Sequence, residues 1–372
     1  MRFCSRCVLP DTRPGIMIGP DGVCSACAGH ERRKSIDWDA RARAFADLVE
    51  TTKQSARGYD CVVPVSGGKD STWQVVTCLE HGLHPLAVTW RTPGRTELGQ
   101  SNLDNLVALG VDHIDYSIDR DVERRFLRLA YETLGSSGVP MHLALFSIPL
   151  RFAVRLEIPL VVWGENSAVE YTGERDDEQA ALLTGSWLAR HGVTHGTTAH
   201  DWVSDTLSEK ELAAYVGPSD DELARAGVRA VFLGHFFRWD PAQTYEVARA
   251  HGFRERREGP QTGIYAFADV DDRFISIHHY LKWFKFGITR SFDNLSIEIR
   301  NERLTRDDAI GVLRERGEER PNQDLESFCE FIAMPVTEFF AIAERFRNRE
   351  IWTKRNGTWM IEDFIVPDWR WT

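Results

Sequence analysis

From Tyr59 onward the chain alternates short apolar runs with amphipathic stretches. Tyr59-Asp60-Cys61-Val62-Val63-Pro64-Val65 is β-branched and short, the signature of a strand buried on both faces. Helical spacing follows over Lys69–Glu80, with Gly82 positioned to close the helix. Leu86–Trp90 reads as a second strand, Ser101–Leu109 as a helix, and His113–Tyr116 as a third strand. Phe126–Leu134 and Leu143–Arg155 carry helical patterns, Leu160–Trp163 is a fourth strand, and Ala230–Gly234 is a fifth. Upstream, Trp38, Ala42, Phe45, Ala46 and Val49 predict a packing helix within Ile36–Gln54. Strands alternating with helices predict an α/β fold, a parallel sheet built from right-handed crossovers.

This pattern divides the chain into three stretches. Residues 1–35 form a small cysteine-bearing unit, 55–240 the α/β domain with a polar, helix-rich insertion at about 174–229, and 241–372 a mostly helical region. The last stretch ends in a hairpin-like, aromatic-rich segment between Trp352 and Trp371. Composition supports a globular chain, with 42% hydrophobic and 27% charged residues. No apolar run approaches the ~20 residues of a membrane helix, so no membrane span is expected. The opening Met1-Arg2-Phe3-Cys4 lacks the apolar stretch of a secretory signal, and a cytoplasmic location is expected. The formal charge of −11 argues against sequence-independent nucleic-acid binding and predicts no nucleic-acid partner. It leaves room for a local basic pocket that suits a small phosphorylated ligand.

Four of the seven cysteines fall in the first 27 residues, as Cys4-x2-Cys7, sixteen residues, then Cys24-x2-Cys27. The segment is too short and polar to fold on a core alone, and four thiolates around one zinc would supply the missing stability. A structural zinc knuckle is expected, since four protein ligands leave no open position for substrate; a reduced, metal-free tail is the alternative. Cys61 and Cys78 read as core residues.

Ser66-Gly67-Gly68-Lys69-Asp70-Ser71 stands where the first strand turns into a helix. Such a turn offers backbone N–H groups and a helix N-terminus to an anion, while Gly67 and Gly68 permit close approach and Lys69 adds a cation. It is not a Walker A loop. For the glycine pair alone, a tight turn is the plain alternative. The full string resembles the PP-loop of ATP pyrophosphatases, a superfamily that includes GMP synthetase and the tRNA thiolation enzymes. That resemblance implies a Rossmann-like, adenine nucleotide alpha hydrolase-like sheet with helices on both faces. It also implies ATP and Mg²⁺ as cofactors, cleavage to AMP and pyrophosphate, and adenine held by the backbone of Val88, Thr89 and Trp90.

Later strings carry a narrower resemblance: Cys4-x2-Cys7-Val8-Leu9-Pro10-Asp11-Thr12, Gly164-Glu165-Asn166 with Glu170-Tyr171, Trp239-Asp240-Pro241 with Tyr245, and His279 through Gly287, together with Arg290 and Ile299-Arg300. These resemble the N-acetyl sugar amidotransferases of surface-polysaccharide pathways. The resemblance implies adenylylation of an acetamido oxygen on a sugar and attack by ammonia from a separate glutaminase, giving an acetamidino group. The chain has no recognisable glutaminase of its own, and it is compatible with a homo-oligomer. A sulfur nucleophile, giving a thioamide or thiolated base, is the alternative chemistry.

Glu165, Asn166 and Glu170 lie past the carboxyl end of the fourth strand, where open α/β sheets bind ligands, and could hold Mg²⁺ or sugar hydroxyls. A helix cap and solvated turn is the plain alternative. Lys282, Lys285 and Arg290, interleaved with aromatics, are expected to clamp phosphate groups rather than form a solvated cationic face. Lys69, Asp70, Glu165, Lys282 and Lys285 are thus the expected catalytic groups, with Asn166, Glu170, Tyr171 and Arg290 on the substrate. His278, His279 and His235 are weaker candidates for acid–base work.

Overall fold

The computed structural model describes residues 1–177 and 179–371. Two helices precede the sheet, α1 (Ser25–Arg33) and α2 (Trp38–Ser55). There follow β1 (Cys61–Pro64), α3 (Lys69–Glu80), β2 (Pro85–Trp90), α4 (Glu97–Val107) and β3 (Asp112–Tyr116). Then come α5 (Arg120–Leu134), α6 (Gly138–Arg155) and β4 (Leu160–Trp163), and, after the insertion, β5 (Arg229–Phe232). The five strands form one parallel sheet in the order β3-β2-β1-β4-β5, with Cys61 opposite Pro85 on one side and Leu160 on the other.

Successive side chains of the central strands leave the sheet on opposite faces, as strand geometry dictates. Val62, Leu86, Val88 and Val161 join the apolar cluster of α5 and α6, while Cys61, Val63, Ala87, Leu160 and Val162 join that of α2, α3 and α4. Both faces are covered by helices, which is why these strands read as continuous apolar runs. Cys61 and Cys78 are fully buried, as core residues.

Local chemistry sets the boundaries. α3 begins at Lys69 and is closed by His81 and Gly82, the latter with φ +72°. α4 begins four residues before the apolar periodicity suggests, because Thr96 Oγ1 accepts the Gly99 N–H at 2.9 Å and caps it. Among its described residues the insertion forms short helices, including α7 (Gly185–His191) and α8 (Asp220–Arg225). Its apolar residues Leu183, Trp187, Trp202, Leu207 and Tyr215 are buried in the same cluster as α5 and α6, so the polar composition conceals a packed layer.

After β5 the chain is helical: α9 (Leu233–Phe236), α10 (Pro241–Ala250), α11 (Ile275–Phe286), α12 (Arg290–Arg300), α13 (Arg306–Arg316), α14 (Asn322–Phe331) and α15 (Val336–Arg345). A hairpin of β6 (Trp352–Arg355) and β7 (Thr358–Ile361) follows. Helices α11 to α15 share one apolar cluster with the N-terminal cysteines, including Cys4, Cys7, Val8 and Leu9 beside Ile277, Trp283 and Phe284. Thr12 Oγ1 donates to the Phe286 carbonyl at 2.7 Å and Arg306 Nε to the Cys7 carbonyl at 3.1 Å. No helix among the described residues is long and apolar enough to cross a membrane.

Candidate active site

The strand order reverses between β1 and β4, and at that switch point the two carboxyl ends diverge to leave a crevice. Ser66–Lys69 leaves β1 there and Gly164-Glu165 leaves β4. Gly67 has φ +89°, and a Cβ on it would lie 2.4 Å from the Gly99 carbonyl oxygen, so only glycine fits both the conformation and the space. Gly68 caps α3, turning the helix N-terminus toward the crevice. Ser71 Oγ donates to the Gly68 carbonyl at 2.8 Å and holds the turn closed.

The crevice is a cavity of about 350 Å³ lined by Ser66, Gly68, Lys69, Asp70, Glu165 and Trp239, among others. Lys69 is buried with its Nζ 2.6 Å from Asp70 Oδ2 and 5.4 Å from the Trp239 ring centre. Trp239 Nε1 donates to Asp70 Oδ1 at 3.0 Å, so one indole orients both the cation and the acid. Gln74 Nε2 donates to the Val162 carbonyl at 2.9 Å, tying α3 to β4 across the crevice. Burial, reinforced by Asp70 nearby, pushes the Glu165 carboxyl up to about 8. Asp70, Glu165, Asp269 and Asp271 all line this cavity, a set of oxygen donors of the kind that suits a hard divalent cation.

A second cavity, about 870 Å³, adjoins the first and shares Asp70, Gln74, Trp163, Glu165, Tyr171 and Arg290 with it. Its far wall carries Lys282 and Lys285 of α11 and Arg13 from the cysteine unit. Asp293 gathers three of the cations: Arg13 Nε donates to Oδ1, while Lys282 Nζ and Arg290 Nη1 lie 3.3 and 3.7 Å from Oδ2. Burial alone would push this carboxyl up, but Arg13, Lys282 and Arg290 outweigh it and hold Asp293 far below the ordinary range. Burial lowers Lys282 to about 8 against the opposing pull of Asp293, and burial with Lys282 nearby lowers Lys285 to about 8. No acid among the described residues pairs with Lys285. His142, His195 and His278 also face this cavity, and burial lowers all three imidazoles, His278 furthest.

Lys282, Lys285 and Arg290 of this wall lie in a segment that matches a known family. Residues 263–364 match a family described as "LPS biosynthesis protein WbpG-like, C-terminal domain". No curated protein matches the chain. Among solved structures, NMN synthetase from Francisella tularensis is similar at 12% identity and a TM-score of 0.34, over 72% of this chain and 94% of that one. A likeness at that level adds nothing to the fold, which stands on its own strand order. The WbpG-like segment contributes Lys282, Lys285, Arg290 and Asp293, whereas the phosphate-type loop precedes it.

Ser66, Gly68, Lys69, Asp70, Ser71, Glu165, Tyr171 and Arg290 therefore line one continuous space with Lys282 and Lys285. Other expected residues turn elsewhere. The Asn166 side chain is spent internally, donating to the Ala180 carbonyl at 2.9 Å and accepting from Trp187 Nε1 at 3.0 Å. Glu170 lines neither of the two joined cavities and pairs with Arg33 at 2.6 Å. Val88, Thr89 and Trp90 line neither as well; Val88 is in the core, and the Thr89 and Trp90 side chains bond His113 and Glu123. His279 is turned to Asp269 at 3.3 Å and His235 to Asp176 at 2.8 Å, and neither faces the cavities.

Arg13, Asp271 and Asp293 carry no local signal of function in the sequence, and Trp239 stands there only within the string Trp239-Asp240-Pro241. Asp269 and Asp271 face the loop from the segment before α11, within the acidic run Asp269-Val270-Asp271-Asp272.

The four cysteines hold their sulfurs within 4.8 Å of one another, with 3.6 Å between Cys7 and Cys24 and 4.0 Å between Cys4 and Cys27. A tetrahedron of ~2.3 Å Zn–S bonds has edges of about 3.8 Å, which these spacings match. Backbone N–H groups of Arg6, Cys7 and Cys24 point at Cys4 Sγ at 3.2–3.5 Å, the arrangement that stabilises thiolate charge. These residues fit zinc, which would hold the 10–15 loop and hence Arg13 over the cavity.

Proposed function

We propose that this chain is an ATP-using enzyme of polysaccharide biosynthesis, adenylylating the acetamido oxygen of an N-acetylated, nucleotide-linked sugar and exchanging it for ammonia. The observation that carries the reading is the continuity of the two cavities. A loop suited to pyrophosphate opens at Asp70 and Glu165 into a larger space walled by Lys282 and Lys285. One space can thus take a nucleotide triphosphate and an anionic co-substrate end to end. The match of residues 263–364 to an LPS biosynthesis family supports the pathway.

In this reading the amide oxygen attacks the α-phosphorus, an O–P bond forms, and the bond to pyrophosphate breaks. Lys69 and the backbone N–H groups at the start of α3 neutralise the departing charge. Magnesium, when bound, supplies further neutralisation of the polyphosphate, and Asp70, Glu165, Asp269 and Asp271 are its candidate holders. The ammonia lone pair then attacks the imidate carbon, the carbon–oxygen bond to AMP breaks, and one nitrogen proton passes to the departing AMP. Lys282 and Lys285 clamp the diphosphate of the sugar carrier. Ammonia is mostly ammonium at neutral pH, so a docked glutaminase that delivers it unprotonated belongs to the proposal, as does a cytoplasmic location. A sulfur route has less support: Cys61, Cys78 and Cys329 are buried, and the other four thiols form the metal-type cluster.

The test incubates the zinc-loaded protein with ATP, Mg²⁺, ammonium and UDP- or CMP-linked acetamido sugars. The expected outcome is AMP together with a product in which NH replaces O by mass. Absence of AMP with every acetamido sugar contradicts the proposal.

A further inference from the structure

Trp239 also belongs to a cavity outside this site. A separate space of about 230 Å³ lies between α1, the Ala168–Thr172 turn and the end of α12, and Trp239 lines both it and the phosphate-loop cavity. Its wall carries His30, Arg33, Lys34, Arg238 and Arg300 against one carboxylate, Glu170. Two of these cations are compensated: Arg33 pairs with Glu170 and Asp176 at 2.6 and 3.2 Å, and Lys34 with Glu31 and Glu302 at 3.3 and 3.5 Å.

Among the described residues Arg238 and Arg300 have no ion-pair partner, although the Glu170 carboxylate feels the Arg300 charge. Arg238 Nη2 donates to Asn301 Oδ1 at 3.0 Å and Arg300 Nη2 to the Glu170 carbonyl at 2.9 Å, both neutral acceptors. Arg33 adds a buried Nη2 without a hydrogen-bond partner. His30 registers the resulting field: burial, then Arg300, Arg238 and Arg33, lowers its imidazole to about 4.

The geometry points to a binding site for a small phosphoanion, inorganic phosphate or pyrophosphate, held by the Arg238 and Arg300 guanidinium groups. Paired planar forks match a tetrahedral oxyanion. The volume lies below the ~300–1,000 Å³ of sites for drug-sized ligands and suits a small anion. An anion here would bear on Trp239, whose indole orients Asp70 and covers Lys69, so the occupied site is coupled to the phosphate loop. The site does not depend on the ATP reading.

Calorimetric titration of the full zinc-loaded chain with pyrophosphate, and separately with orthophosphate, tests it in phosphate-free buffer with α,β-methylene-ATP saturating the loop. One further site is expected for at least one of the two anions, weakened about tenfold or more in Arg238→Gln/Arg300→Gln and less in Arg300→Lys. Should the double variant fail to fold, as judged by circular dichroism and zinc content, the exposed Arg238→Gln alone carries the comparison. No further site in the native chain, or equal affinity in the variants, overturns the inference. If the ATP analogue itself does not bind, the ATP reading fails by itself, and the same titrations in a Lys69→Gln background still decide this one.

Discussion

Lys69 has no carboxylate to itself: its ammonium is shared between Asp70 and the faces of Trp239 and Phe267. An incoming pyrophosphate can therefore take the cation over without leaving a buried acid stranded, because Asp70 keeps the Trp239 hydrogen bond. Lys69→Ala should lower the rate of AMP formation by about 10²-fold or more with little change in thermal stability, checked by steady-state kinetics beside a melting curve. Glu165 carries a pH signature. Its folded value, about 8, lies above the ordinary 4.5, so the folded chain keeps a proton that the unfolded chain gives up. Stability from this group is present below about pH 4.5 and is lost as pH rises toward about 8. Glu165→Gln should accordingly melt higher than the native chain, with the difference growing between about pH 5 and about pH 8; a difference constant in pH contradicts the assignment. The loop residues were legible because the chemistry of a phosphate turn is local. Arg13, Trp239, Asp271 and Asp293 were not, because packing alone brings them from distant segments. Glu170 misled for the same reason, since nothing in the string Glu170-Tyr171 announces Arg33 as its partner.

Between elements, Asp293 on α12 joins α11 through Lys282 and the cysteine unit through Arg13. The carboxylate is buried and all its partners are cations, so its loss leaves unpaired charge in the interior. Asp293→Asn should cost about 3 kcal/mol by chemical denaturation, with a parallel loss of Lys282-dependent turnover. The cysteine unit is stapled to α11 and α13 by Thr12 and Arg306, and its own apolar content is slight. Removing zinc with a chelator should then lower the denaturation midpoint of the chain and raise the KM for the sugar more than that for ATP, because Arg13 loses its anchor. Unchanged stability after verified zinc loss contradicts a structural metal. The periodicity located every strand of the large sheet to within a few residues. It missed how α4 starts, which a side-chain cap decides, and the packed nature of the insertion, whose buried Trp187, Trp202 and Tyr215 are diluted among polar residues.

For the whole molecule, the parallel order alone determines where chemistry can occur, since the chain reverses its direction of growth between β1 and β4. The loop after β1 and Glu165 after β4 meet at that point, and the helices after β5 close the space with Lys282, Lys285 and Arg290. The α/β portion was readable from alternation and the phosphate loop from its glycines, but the roof of the cavity required the folded positions of α11 and α12. The central claim is that ATP activates an amide oxygen in this shared space. Supplying an acetamido sugar labelled with heavy oxygen at the acetyl carbonyl, with ATP and ammonium, and following the label by mass spectrometry tests it directly. The label should appear in the phosphate of AMP while the sugar product carries nitrogen in its place; unlabelled AMP, or labelled oxygen retained on the sugar as AMP forms, contradicts the account.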